Sequence, residues 1–85
     1  MFDYNIYPNN SNKKFLNACV TIEKKYPDNK KRSLLVDVDG TTIQIYYINN
    51  KKVTVYDDFE VGAVYVLSEL DLKDIFKNWN GMRSG

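Results

Sequence analysis

Residues 33–56, SLLVDVDGTTIQIYYINNKKVTVY, decide the fold. Asp39-Gly40 lies between two runs of alternating residues, which is the strongest short-range signal for a β-hairpin. A two-residue turn there sets Val38 opposite Thr41, Val36 opposite Ile43 and Leu34 opposite Ile45, all on one face. The other face then carries Ser33, Leu35, Asp37, Thr42, Gln44 and Tyr46. Register is decisive, because a slip of one residue exchanges the two faces. At the next turn a three-residue loop, Asn49-Asn50-Lys51, pairs Ile48 with Lys52 and keeps Ile45, Tyr47, Val53 and Val55 on the inner face. A two-residue loop at Asn50-Lys51 would instead align Ile45 and Tyr47 with Thr54 and Tyr56. The first choice gives a continuous apolar face across three strands. It leaves Asp37, Thr42, Gln44, Tyr46, Ile48, Thr54 and Tyr56 on the outside.

Outward from this meander, Phe2–Ile6 alternates apolar and polar residues and ends before Pro8, as a short edge strand would. Ser11 is placed to cap a helix over residues 12–26, whose Phe15, Ala18, Cys19, Ile22 and Tyr26 follow helical spacing. Pro27 stops it, and the charged loop Asp28–Arg32 leads into the meander. Beyond Asp57-Asp58-Phe59, the run Val61–Leu67 has the length and β-branching of a strand buried on both sides, with Gly62 marking a bulge or close approach. Ser68 and Asp71 resemble a capping box before a helix over 69–79, with Leu72, Ile75, Phe76 and Trp79 on one stripe and Gly81 closing it. The expected fold is an α+β two-layer sandwich of order β-α-β-β-β-β-α, a mainly antiparallel sheet with two helices on one face. One domain spans 1–81, and 82–85 form a frayed tail. The expected core is Phe15, Cys19, Ile22, Leu34, Val36, Val38, Ile43, Ile45, Val53, Val55, Val64, Val66, Leu72, Ile75 and Phe76.

A chain of 85 residues can bury one core with a thin stability margin. One cysteine and no histidine exclude an internal disulfide, the usual zinc sets and histidine acid–base catalysis. No cofactor or metal site is expected. The N-terminal MFDYNIYPNN has no signal-peptide pattern and no window suits a membrane span, so a cytoplasmic location is expected. The net charge of +1 argues against a strongly basic nucleic-acid binder and against a strongly acidic DNA mimic. Charge is uneven along the chain: residues 1–32 carry seven basic and three acidic groups, residues 33–85 five basic and eight acidic.

Leu34–Thr41, an apolar strand ending in Asp-x-Asp-Gly-Thr, resembles the first motif of haloacid-dehalogenase-type phosphatases. The resemblance implies Asp37 as nucleophile, Asp39 as general acid–base, a bound Mg²⁺, and Asp57-Asp58 as the later acidic pair. That family needs a parallel sheet with a crossover helix after each strand. Here Gly40 runs directly into TIQIYY, another strand, and Asp-Gly is accounted for by the turn. Cys19 sits on the apolar helix stripe, where a small packing role suits it. A non-enzyme is therefore expected.

Seven tyrosines are many for 85 residues, and tyrosine gives large contact area at small side-chain entropy cost. The leading expectation is a protein-binding inhibitor: an immunity or antitoxin protein that occludes the active site of a nuclease-type bacterial toxin. Its partner surface would be Asp37, Thr42, Gln44, Tyr46, Ile48, Thr54, Tyr56, Asp57, Asp58 and Glu60, with carboxylates standing where substrate phosphates sit. A phage-encoded, anti-CRISPR-like inhibitor of a defence nuclease is the alternative. A second class is a nucleic-acid module using Lys13, Lys14, Lys24, Lys25, Lys30, Lys31 and Arg32. A third is a domain that oligomerises through an edge strand; a monomer or weak dimer is expected.

Overall fold

The computed structural model describes residues 1–76. Its elements are β1 (Phe2–Tyr7), α1 (Asn12–Lys25), β2 (Lys30–Lys31), β3 (Leu35–Val36), β4 (Thr42–Ile48), β5 (Lys51–Asp58) and β6 (Ala63–Ser68), followed by a helical turn at 73–76. All strand pairs are antiparallel, in the order β1-β6-β5-β4, with β2 and β3 sharing the far edge of β4. This is the expected α+β fold, with β2 and β3 as one interrupted strand. The expected Trp79 stripe, the Gly81 stop and the 82–85 tail lie outside the described residues.

Helix α1 forms as its sequence requires. The Ser11 hydroxyl accepts the Lys14 amide at 3.1 Å, and Phe15, Ala18, Cys19 and Ile22 are buried along one stripe. They pack on Val53, Val55, Val64, Val66 and Ile6. The second helix begins later than expected. Ser68 completes β6 and bonds within a turn to Leu70, while Asp71 Oδ1 accepts the Lys73 amide at 3.0 Å. Leu72 and Phe76 enter the same core as α1, and the Phe76 ring lies 5.8 Å from that of Tyr4. Both helical segments therefore cover one face of the sheet. Ile75 stays half-buried beside that core.

Both meander turns differ by one residue from expectation, and this changes what faces what. At the first, Gly40 N donates to Asp37 O and Asp37 N to Thr41 O, with Gly40 at φ +93°. That is a three-residue loop, Val38-Asp39-Gly40, closed by a left-handed glycine. Leu35 therefore pairs with Ile43 and Val36 with Thr42. At the second turn, Asn49 and Asn50 are both left-handed (φ 53° and 65°) and Ile48 pairs with Lys51, giving a two-residue hairpin. Tyr46 now opposes Val53 and Gln44 opposes Val55. The face of β4 beneath α1 is thus Gln44, Tyr46 and Ile48, all buried, whereas Ile43 and Ile45 turn to the other side. Leu34, Val36 and Val38, expected in the core, are exposed on the edge. Tyr4, Ile6, Ala18, Tyr46 and Ile48 take their place in it.

Candidate functional site

Among the described residues no helix packs on the sheet face away from α1, although Phe59 folds over its Gly40-Thr41 end, where its amide donates to Thr41 Oγ1 at 2.9 Å. Strand register lays Leu35, Ile43, Tyr56, Tyr65 and Asn5 across it in one row. The next row is Ile45, Thr54, Leu67 and Asp3. Ile43, Ile45, Tyr56, Tyr65 and Leu67 are half-buried by one another, and Thr54 is nearly covered among its larger neighbours. Tyr56 and Tyr65 stack with ring centroids 4.8 Å apart and planes 18° from parallel. The result is a contiguous apolar and aromatic band spanning most of the sheet.

Charge of opposite sign closes the two ends of this band. Near the Asn49-Asn50 hairpin, Lys30 and Lys52 flank Tyr47 from either side. At the opposite end stand Asp37 and Asp58, with Asp39 and Glu60 in the adjoining turns. Asp58 is held firmly. Its Oδ1 accepts the amides of Glu60 and Val61 at 2.9 and 3.1 Å, and its Oδ2 accepts the Tyr65 hydroxyl at 2.6 Å. The Tyr65 bond, with the two amides, keeps the carboxyl below its ordinary range, and burial followed by Asp58 raises the Tyr65 hydroxyl. Tyr65 is thereby locked in orientation, with its ring presented to the open face.

The expected partner residues divide between the two faces. Asp37, Tyr56, Asp58 and Glu60 lie on the open face or its rim, and Thr54 lies at its centre. Gln44, Tyr46, Ile48 and Asp57 are buried beneath the helix layer, and Thr42 shares their side of β4. Each buried polar group among them has a structural task. Gln44 Nε2 donates to Arg32 O at 2.6 Å, where the edge chain advances four residues between Lys31 and Leu35 while β4 advances three. Tyr46 donates its hydroxyl to Glu23, which also pairs with Lys31 at 3.0 Å. Asp57 Oδ1 accepts Asn10 Nδ2 at 2.9 Å and the Ser11 amide at 3.3 Å, anchoring the start of α1.

Sequence reasoning placed Leu35 on the outside but missed Ile43, Ile45, Tyr47, Tyr65 and Leu67 as residues of this face. The signal that would have found them is the Asn49-Asn50 pair, since asparagine tolerates the two left-handed positions of a tight hairpin. Asp37 and Asp39 bond within their own turn, to the Val38 amide at 2.8 Å and the Thr41 amide at 2.9 Å. The strand β4 follows Gly40 directly, so the crossover helix implied by the phosphatase resemblance is not there. Among the described residues no group of three or more acidic, cysteine or histidine side chains could hold a metal ion, and no helix is long and apolar enough to cross a membrane. No protein-family model, curated protein or solved structure matches the chain.

Proposed function

We propose that this protein is a non-catalytic inhibitor that presses its open sheet face against a protein partner and blocks that partner's active site. The single observation that carries this reading is the half-buried band of Ile43, Ile45, Tyr56, Tyr65 and Leu67, which no described helix covers and which carboxylates rim at one end. An exposed apolar patch with a polar rim is what a protein interface requires, and locked aromatic rings make efficient anchors. The acidic rim suits a basic cleft that normally holds phosphates. A nuclease-type bacterial toxin has such a cleft, so the role is that of an immunity or antitoxin protein acting in the cytoplasm.

An anti-CRISPR-like inhibitor would use the same surface, but imitation of a long nucleic acid would favour a stronger negative charge than the observed +1. The basic-helix reading is weakened because Lys14 stacks over Tyr7 and Lys31 is paired with Glu23.

The test is co-expression with nuclease toxins encoded beside its gene. Wild-type protein should restore growth and bind in a one-to-one complex. Tyr56→Ala should weaken binding about 30-fold, the loss of one anchor worth about 2 kcal/mol. Ile43→Asp should abolish protection, and both variants should unfold within a few degrees of the wild type. Protection undiminished by either change would refute this face as the inhibitory surface.

A further inference from the structure

We propose that the β2–β3 edge is a self-association surface: two copies of the chain pair antiparallel through Leu34–Val36, joining their sheets edge to edge. The two edges of the sheet are not alike. β1 carries a register shift between Asn5 and Tyr7 and ends at Pro8, the usual ways in which an edge is made unfit for pairing. The other edge instead exposes Leu34, Leu35 and Val36 at 53, 49 and 66%. It combines backbone with no described strand on its outer side and aliphatic side chains on both faces, which isolated monomers avoid.

The backbone is set for this pairing. Asp37 N bonds to Thr41 O, and Leu35 pairs with Ile43, so alternation turns the N–H and C=O groups of Leu34 and Val36 away from β4. A two-fold axis beside Leu35 brings Leu34 of each copy opposite Val36 of the other, outward groups meeting outward groups. Leu35 then faces Leu35 of the second copy at the close spacing of a non-hydrogen-bonded pair. A shallow hollow of about 200 Å³, lined by Arg32, Ser33, Leu35 and Ile45, lies beside that axis to receive the second leucine.

Charge makes a second copy the fitting occupant. The edge segment reads Lys30-Lys31-Arg32-Ser33-Leu34-Leu35-Val36-Asp37-Val38-Asp39, cationic before the aliphatic centre and anionic after it. Antiparallel self-pairing turns the cationic end of each copy, Lys30 and Arg32 with Lys31 held by Glu23, toward Asp37 and Asp39 of the other. Parallel pairing would set like against like. The sequence is therefore complementary to itself in one direction only. So short a ladder falls at the small end of stable interfaces, which implies a dissociation constant in the micromolar range or weaker.

Sedimentation of the intact protein from micromolar to millimolar concentration should show a monomer passing into a dimer, with the dimer fraction falling as salt is added. Val36→Pro removes an N–H that points away from β4 and should hold the protein monomeric. Leu35→Cys should form a disulfide-linked dimer under mild oxidation, whereas Leu67→Cys, on the open face away from this edge, should not. The buried Cys19 makes the wild type a suitable control. If Val36→Pro fails to fold, the contrast between the two cysteine variants decides. A wild type that stays monomeric at millimolar concentration, or equal crosslinking at Leu35 and Leu67, would overturn the proposal. So would an edge that pairs only with a toxin.

Discussion

Tyr46 shows how much one side chain does in a domain this small. Its ring is fully buried between α1 and β4, and its hydroxyl donates to Glu23, whose carboxylate also meets Lys31. Burial, then Glu23, pushes the Tyr46 hydroxyl far up, so it remains a donor at any working pH. The same bond, with help from Lys31, keeps the Glu23 carboxyl below its ordinary value of 4.5. A carboxyl lowered in the folded state contributes stability above its unfolded pKa, and that contribution is lost as pH falls through the folded pKa. Tyr46→Phe keeps the ring and deletes the bond. It should lower unfolding free energy by about 1–2 kcal/mol near neutral pH, measured by urea denaturation. Part of that deficit should close as the titration is carried below pH 4.5, because the wild type then loses the bond to the ionised carboxylate as well. A deficit of the same size at every pH would show that the Glu23 carboxylate is not what the hydroxyl stabilises.

At the scale of elements, the parts legible in the sequence were those with redundant local signals. Helix α1 has a cap, a stripe and a stop, and β6 has a dense β-branched run. The faces of β4 were not legible, because its two registers look alike from composition. Ile43, Ile45 and Tyr47 alternate with Gln44, Tyr46 and Ile48, and a tyrosine suits either side of a sheet. Continuity of aliphatic residues favoured the first set inward. The structure prefers the second because the Asn49-Asn50 turn fixes the register, and because a buried Gln44 is needed to bond the Arg32 carbonyl at the bulge. Local charge misled in the same way at Asp57, which reads as a surface acid yet ties the entry of α1 to β5. Asp57→Ala would leave the Asn10 amide and the Ser11 N–H without that acceptor. A loss of about 2–3 kcal/mol is expected in urea titration, with the open face still able to bind. A variant as stable as the wild type would mean that the anchor is dispensable.

Across the whole molecule, the helical layer, the open face and the two unlike edges imply an uneven distribution of stability. Val53, Val55, Val64 and Val66 are fully buried in the two central strands β5 and β6, and every other described strand is reached through one of them. Opening those strands is equivalent to unfolding the domain, whereas the two-residue β2 and β3 can leave β4 without disturbing the core. Amide hydrogen exchange on dilute, monomeric protein should therefore fall into a gradient. Amides of β5 and β6 should exchange only through global unfolding, with free energies matching the urea value. Leu35, paired with β4, and Asp37, bonded to Thr41 O, should exchange by local opening, several kcal/mol more easily. The outward amides of Leu34 and Val36 should show almost no protection until the protein is concentrated, when pairing of the two edges covers them. Binding of a partner on the open face alone would slow none of these outward groups directly, since they lie in the plane of the sheet. Protection of Leu34 and Val36 that is already high in dilute protein would mean that the chain covers this edge itself, and the division of labour between face and edge would fail.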